Sequence, residues 1–159
     1  LGNIVLGSRI GTVNTNINTD IRCRGRLCYM ERMDGQLVID TETAWSPMLK
    51  MWTKIIDKYL PDAEFIFTAE ECGCGIYDTN DECLIGKYIV DCWDDIEGKD
   101  EIESNWEADE EYVIDLLNDL FDTKEINVDK LIRMFEDSDY TDNMSIHKWE
   151  FVEDLSIYD

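Results

Sequence analysis

The sequence predicts an α+β fold in which a strand-rich core is followed by an acidic helical segment. Short runs of branched and aromatic residues, separated by Gly, Asn and Asp, indicate strands and turns in residues 1–103. Apolar residues at helical spacing indicate one helix within that core and further helices in residues 104–159. A hydrophobic content of 44%, with five Trp, seven Tyr and five Phe, argues against disorder. We therefore expect a core domain over 1–103 and an acidic extension over 104–159 that packs on it.

The predicted strands follow from turn signals and β propensity. Leu1–Asp20 alternates small polar and branched residues, which is typical of strands and turns. Asp34-Gly35 is a strong hairpin signal, and a strand beginning at Leu37 is expected to run from it towards Ala44. Three later strands are predicted over Glu64–Ala69, Cys74–Tyr77 and Lys87–Val90.

A helix is predicted between the strand that runs towards Ala44 and the strand Glu64–Ala69. Ser46 is expected to be its cap and Pro47 its first helical residue, a position at which proline is well tolerated. Leu60-Pro61 is expected to end it, because proline restricts the residue before it to extended conformations. The predicted inward face carries Met48, Trp52, Ile55, Ile56 and Tyr59.

The run Thr41–Asp81 combines a strand end, a turn, a helix, a proline before a strand, and a hairpin. The residues that define this pattern are Thr43, Ala44, Trp45, Ser46, Pro47, Trp52, Pro61 and Glu71. The pattern resembles the core of the YubB ferredoxin-like domain family, with Met48 where that family has the second proline of the turn. The resemblance implies a ferredoxin-like antiparallel sheet with helices on one face. It implies no activity.

Charge is distributed very unevenly along the chain. Residues 1–60 have a net charge of +2, whereas residues 61–159 have a net charge of −25. The stretch Asp91–Asp122 alone carries fourteen carboxylates against one basic side chain, Lys99. Binding to bare nucleic acid or to an anionic membrane is disfavoured, because both require positive charge. The stretch is therefore an interaction surface for a basic partner, a solvated acidic face, or an adaptation to high salt.

The second half of this acidic stretch is predicted to be an amphipathic helix. Ser104 and Glu107 have the spacing of a capping box, so the helix is expected to start there. Apolar residues then fall on one face and carboxylates on the opposite face. The predicted inward residues are Val113, Leu116, Leu117, Leu120 and Phe121. The predicted outward residues are Glu111, Asp115, Asp119 and Asp122.

A further helix, Val128–Glu136 with Asn127 as its cap, leads into a segment that resembles an EF-hand loop. The loop template spans Asp139–Glu150 and would give a helix–loop–helix. The expected calcium ligands are Asp139, Thr141, Asn143 and Glu150. Met144 stands where the sharp turn of such a loop requires glycine. The segment is therefore either a weak calcium site or a structural turn with polar residues.

The cysteines and arginines allow several interpretations. The six cysteines form no Cys-x-x-Cys pair, and a zinc site from Cys72, Cys74, Cys83 and Cys92 would have unusual spacing. No secretory signal and no apolar run near 18 residues is evident, so reduced thiols in a cytoplasmic protein are expected. The basic cluster is Arg22, Arg24, Arg26 and Arg32. It either offsets the acidic half, lines the exposed side of a strand, or contacts nucleic acid, which the overall charge disfavours.

Residues typical of catalysis are scarce. The chain has one histidine, His147, and lacks a serine nucleophile elbow, a phosphate-binding loop and an HExxH motif. We therefore expect neither enzymatic activity nor a cofactor.

The charge pattern favours a protein that occupies the DNA-binding surface of a nucleic-acid enzyme. In charge and size the chain is similar to phage- and plasmid-encoded anti-CRISPR and antirestriction proteins, so a Cas nuclease is the expected partner, with no direct contact to nucleic acid or membrane. The predicted partner-binding residues are Asp94, Asp95, Glu97, Glu101, Glu103, Glu107, Asp109, Glu110, Glu111, Asp115, Asp119 and Asp122. The alternative is a calcium-responsive or structural protein-interaction module.

Overall fold

The computed structural model describes residues 26–43 and 46–155, which form three α-helices and three small sheets. The mixed α+β class is therefore confirmed. The described strands belong to separate sheets rather than to one ferredoxin-like sheet. Contacts divide the chain into two compact units, residues 1–76 with 152–159, and residues 77–151. The boundary predicted between residues 103 and 104 falls inside the second unit. The predictions for Leu1–Asp20, Arg22, Arg24, Ala44 and Trp45 lie outside the described residues.

The first unit contains a β-hairpin. Strand β1 (Arg26–Met33) pairs antiparallel with β2 (Gln36–Glu42), and Asp34-Gly35 forms the turn between them. Both turn residues have positive φ, 44° for Asp34 and 86° for Gly35. A two-residue turn of type I′ requires this conformation, and Asp-Gly adopts it at low cost. The predicted hairpin is confirmed.

Helix α1 (Leu49–Tyr59) of the first unit starts later than predicted. Its N-cap is Met48, which makes no side-chain cap hydrogen bond, so the predicted cap at Ser46 is wrong. The helix is stabilised instead by its apolar face, on which Trp52 is 8% exposed. The buried residues of the helix are Leu49, Met51, Trp52 and Ile55. Tyr59, predicted to point inward, is 51% exposed.

The aromatic residues that follow α1 contribute to packing rather than to a strand. Phe65 packs against the cluster around Trp52, and the ring centroids of Phe65 and Phe67 are 6.1 Å apart. Strand β3 begins only afterwards and spans Thr68–Glu71, so the prediction of a strand over Glu64–Ala69 is wrong in its first four residues. The aromatic and branched side chains give this stretch high β propensity, but Phe65 and Phe67 pack as part of an irregular segment.

The second unit is built around a three-stranded antiparallel sheet. Its central strand is β5 (Tyr88–Cys92), which lies between β6 (Asn105–Ala108) and β7 (Met144–Lys148). Tyr88, Ile89 and Val90 are at most 2% exposed, because both faces of the sheet are covered. The sequence predicted the strand at this position and missed its two neighbours.

Two helices cover one face of this sheet. They are α2 (Glu110–Phe121) and α3 (Val128–Glu136), and α3 begins with the predicted Asn127 cap, whose side chain accepts a hydrogen bond from the Lys130 N–H. The shared core contains Tyr88, Val90, Ala108, Val113, Leu117, Leu120, Leu131, Phe135, Met144 and Ile146. Burying each large apolar side chain contributes about 1.5–3 kcal/mol. In the described part of the chain, no helix is long and apolar enough to cross a membrane.

The opposite face of the sheet packs on a smaller cluster. Ile89 points to this side, as expected for the residue between Tyr88 and Val90, and it packs with Tyr77, Leu84 and Trp149. Strand β4 (Ile76–Thr79), which starts two residues later than predicted, pairs in parallel with β8 (Glu150–Phe151). The sheet of the second unit therefore has a packed layer on each side.

The start of α2 differs from the prediction. Residues 105–108 form β6, and the helix begins after Asp109, whose side chain accepts a hydrogen bond of 2.8 Å from the Tyr112 N–H. The predicted capping box of Ser104 and Glu107 is therefore wrong. Asn105 pairs with Val90 of the central strand, and this pairing takes precedence over a local cap. The predicted apolar face is confirmed: Val113, Leu117 and Leu120 are buried, and Leu116 and Phe121 pack against the same core.

Candidate functional site

The second unit carries most of the negative charge of the chain. Its residues 77–151 include 24 carboxylates and six Lys or Arg, a net charge of −18. All twelve predicted partner-binding residues lie in this unit and are exposed. We call them the acidic surface: Asp94, Asp95, Glu97, Glu101, Glu103, Glu107, Asp109, Glu110, Glu111, Asp115, Asp119 and Asp122. The ion pairs found among the described residues, Arg26–Glu42 and Lys130–Glu125, involve none of these carboxylates.

One part of the acidic surface is helix α2. Glu110 and Glu111 lie in its first turn, where negative charge is favoured by the helix dipole. Asp119 and Asp122 lie at the opposite end, where the same dipole disfavours them by about 0.3–1 kcal/mol each. Asp122 also ends the helix in the left-handed conformation, at a φ of 51°. The left-handed conformation favours Asp at position 122, whereas helix stability does not account for the Asp119 carboxylate.

A second part is the loop of residues 93–103, which is fixed to the unit at several points, and Glu107 lies on strand β6 between the loop and the helix. Ile96 is 9% exposed and belongs to the main core, and Ile102 packs against that core. The ammonium group of Lys99 donates a hydrogen bond of 2.5 Å to the backbone carbonyl of Asp119. A cation at this position also opposes the negative end of the helix dipole. The loop is thereby held beside the C-terminal end of α2.

Ser104 fixes the end of this loop instead of capping a helix. Its hydroxyl accepts a hydrogen bond of 2.9 Å from the Cys92 N–H and donates one of 3.0 Å to the Asp91 carboxylate. These bonds connect the loop to the end of the central strand. Ser104 therefore supports the acidic surface through a contact that the sequence did not indicate.

Exposed aromatic residues lie within the acidic surface, and sequence reasoning did not select them. Trp93 is 55% exposed, Trp106 is 43% exposed and Tyr112 is 36% exposed. Aromatic side chains are enriched in protein–protein interfaces. The sequence feature that could have indicated their exposure is their position: Trp93 and Trp106 stand in a run of carboxylates and belong to no apolar stripe at helical spacing.

The predicted EF-hand is not formed. Helix α3 is followed by a 3-10 turn at Asp139–Asp142 and then by strand β7, so no second helix follows the loop. Met144, at the position that requires glycine, is 0% exposed in the main core. The residues from Met144 onward alternate between buried and more exposed positions, as a strand requires. Packing of this strand against β5 takes precedence over the polar spacing that resembled a calcium loop.

The four predicted calcium ligands are not arranged around one point. The five residues of β7 extend over roughly 16 Å, which separates Glu150 from the turn that holds Asp139. The Asn143 amide donates to the Asp95 carbonyl at 3.2 Å, and the Thr141 hydroxyl donates to the Ser138 carbonyl at 2.9 Å. Among the residues described, no group of three or more His, Cys, Asp or Glu could hold a metal ion. The geometry does not fit calcium.

The cysteines that the structure describes are free and form no disulfide with one another. Cys28, Cys72, Cys74 and Cys83 are exposed thiols, and Cys92 is half-buried. The Asp81 carboxylate, which lies close to Cys83 and accepts a hydrogen bond from it, raises the pKa of that thiol. A raised pKa disfavours the thiolate form, which metal binding and nucleophilic attack both need.

The basic cluster of the first unit is partly compensated within the hairpin. The Arg26 guanidinium lies 2.5 Å from the Glu42 carboxylate, and these residues face each other on β1 and β2. Arg32 is exposed on β1. Arg26 therefore lines the exposed side of a strand, which was one of the interpretations of the cluster.

No protein-family model, no curated protein and no solved structure matches the chain. The resemblance of Thr41–Asp81 to the YubB family stays a prediction.

Proposed function

We propose that this protein binds the DNA-binding surface of a nucleic-acid enzyme through its acidic surface and blocks the loading of DNA, with no chemistry of its own. The partner we propose is a Cas nuclease or a similar defence enzyme in the cytoplasm. The observation that carries the proposal is a set of twelve exposed carboxylates, none of them in an ion pair among the described residues, on helix α2 with its caps, on strand β6 and in the loop of residues 93–103.

The physical basis is competition for a basic surface. A nucleic-acid enzyme holds its substrate in a channel of Lys and Arg and gains affinity from the release of counterions. Carboxylates spaced four residues apart on α2 give roughly one charge per 6 Å, from a rise of 1.5 Å per residue. A DNA strand gives about one charge per 3.4 Å. The helix alone is therefore sparser than DNA, and the loop of residues 93–103 supplies additional charge beside it.

Rigidity supports this function over that of a solvated acidic face. A flexible acidic segment loses conformational entropy when it binds, which reduces its affinity. Here α2 is fixed by Val113, Leu117 and Leu120, and the loop is fixed by Ile96 and Lys99. The carboxylates are thus held in place before a partner binds.

The proposal is tested by displacement of labelled duplex DNA from a purified Cas nuclease, measured by fluorescence anisotropy. The wild-type protein should displace the duplex. Neutralisation of four helix carboxylates, Glu110→Gln, Glu111→Gln, Asp115→Asn and Asp119→Asn, should weaken displacement sharply, while single changes do little because the field is shared. The matched control neutralises four exposed carboxylates of the same unit outside the acidic surface, by Glu82→Gln, Asp129→Asn, Glu136→Gln and Asp137→Asn.

Two results would contradict mimicry. One is a ternary complex in which the enzyme holds the duplex and the protein at the same time. The other is equal inhibition by the wild type and the helix variant. The association rate should also fall with added salt, because charges interact over about 8 Å at physiological ionic strength.

A further inference from the structure

Trp93 is a large aromatic side chain that remains 55% exposed, in a fixed orientation. It follows the central strand β5. Its backbone N–H donates to the Asn143 carbonyl at 3.0 Å, and its indole Nε1–H donates to the Asp142 carbonyl at 2.9 Å. Because both the backbone and the ring are held, one face of the indole is presented to a partner in a single arrangement. Such an arrangement loses little side-chain entropy on binding.

Three aspartates surround the turn that holds the ring. The Asp94 N–H donates to the Asn143 carbonyl at 3.3 Å, and the Asn143 amide donates to the Asp95 carbonyl at 3.2 Å. Asp94, Asp95 and Asp142 are all exposed, and the ion pairs found within residues 26–43 and 46–155 involve none of them. Trp93 is thus held at a turn whose three aspartates are exposed and belong to none of those ion pairs.

We infer that Trp93 receives an arginine side chain of the basic partner, an inference that rests on the proposed function. The flat guanidinium stacks on the indole face, while its N–H groups donate to the surrounding aspartates. Arginine can make both contacts at once, because its charged group is planar and weakly hydrated. An apolar partner is disfavoured, because it would remove the carboxylates from water without compensation.

Lysine fits this place less well than arginine. Its ammonium group is compact and strongly hydrated, so it gains as much from any exposed carboxylate as from those near Trp93. The carboxylates of α2 attract both cations equally, whereas the indole distinguishes between them. Trp93 therefore makes the acidic surface select partners rich in arginine over partners rich in lysine. Tryptophan and arginine are both enriched among the residues that contribute most to binding at protein interfaces.

The test uses an oligoarginine peptide and an oligolysine peptide of equal length. Affinities are measured by isothermal titration calorimetry for every variant, and contact at Trp93 in the wild type is followed in ¹H–¹⁵N spectra through its indole N–H signal, identified by its absence in Trp93→Phe. Oligoarginine should shift this signal, and its affinity should fall about two- to fivefold in Trp93→Ala. The affinity of oligolysine should not change in that variant. Trp93→Phe, which keeps an aromatic face but loses the Nε1–H hydrogen bond, should retain part of the preference for arginine.

Ile126→Ala is the control, because Ile126 is 85% exposed and apolar but has no aromatic face. It should leave both affinities unchanged.

An equal loss of affinity for the two peptides in Trp93→Ala, or no loss of affinity for either, overturns the inference. The helix variant with four neutralised carboxylates separates this failure from that of the proposed function. If that variant binds both peptides more weakly while Trp93→Ala binds both as the wild type does, only the assignment of Trp93 is wrong. If it binds both peptides as the wild type does, the role of α2 in the proposed function is wrong.

Discussion

The rings of Tyr77 and His147 stack face to face, with centroids 3.9 Å apart and an angle of 13° between their planes. Tyr77 is 6% exposed, and His147 is half-buried on strand β7. Burial lowers the pKa of His147 from its ordinary value of 6.5, and the carboxylate of Glu136 opposes this change. The only histidine of the chain is therefore a neutral packing residue at neutral pH.

This stack predicts a pH dependence of stability. The folded-state pKa of His147 lies below 6.5, so the unfolded chain takes up the proton first as the pH falls. The contribution of neutral His147 to the free energy of unfolding is present above pH 6.5. It decreases as the pH falls below 6.5, and the loss is complete once the pH has fallen through the folded-state pKa. His147→Phe keeps a ring at this position and removes the titration. In urea unfolding, the wild type should lose stability relative to this variant between about pH 7.5 and about pH 5.5. A constant difference would show that His147 does not titrate as inferred.

Asp78 and Glu150 face each other on the parallel strands β4 and β8. Burial first, and then the negative charge of Glu150, raise the pKa of Asp78. Glu150→Gln removes a like charge from this position, so the free energy of unfolding at neutral pH should rise by about 0.2–1 kcal/mol. The gain should shrink in acid, because the folded state protonates Asp78 before the unfolded chain does and the repulsion then disappears. Glu82→Gln, which removes an exposed carboxylate elsewhere in the unit, should give no comparable gain.

The cap of α2 can be separated from the charge of the acidic surface. Asp109→Ala removes the acceptor of the Tyr112 N–H and should lower the free energy of unfolding by about 0.5–2 kcal/mol. Asp109→Asn keeps the acceptor without the charge and should restore most of this loss. Thermal or urea unfolding of the two variants provides the measurement. If the asparagine variant is as unstable as the alanine variant, charge at the helix start matters more than the cap.

Leu117 and Asp115 test the assignment of the two faces of α2. Leu117 is 0% exposed, and Leu117→Ala should cost about 2–5 kcal/mol through a cavity in the core. Asp115 is exposed two residues away, and Asp115→Ala should change stability by less than about 0.5 kcal/mol. Leucine and aspartate differ in helix propensity by less than about 0.7 kcal/mol, so propensity does not explain a difference of this size. Similar values for the two variants would mean that the faces are misassigned.

Predictions from the sequence were most accurate where the cause is local. Asp34-Gly35 forms its turn because these residues tolerate positive φ, and Asn127 caps α3 through its own side chain. The capping box at Ser104 failed because Asn105 has a strand partner 15 positions earlier, at Val90. No local pattern contains that information.

The candidate site was predicted in part for the same reason. The exposure of carboxylates such as Glu111 and Asp115 follows from their charge and from the apolar stripe opposite them. The contact between Lys99 and the Asp119 carbonyl joins residues 20 positions apart, and the orientation of Trp93 depends on Asp142, 49 positions away. Both depend on tertiary structure. The helix–loop–helix predicted over Asp139–Glu150 is wrong, because the alternation from Met144 to Ile146 belongs to a strand.

The acidic surface constrains the identity of its residues less than the core does. Aspartate and glutamate are interchangeable wherever only exposed charge matters, and a carboxylate lost at one turn of α2 can be replaced by one gained at the next. The buried positions have no such freedom, because Tyr88, Leu117 and Met144 fill one shared core. Related chains can therefore keep the same electric field while their surface residues diverge almost completely. Sequence similarity between such proteins would be retained mainly at buried positions. The surface residues could change as the partner changes.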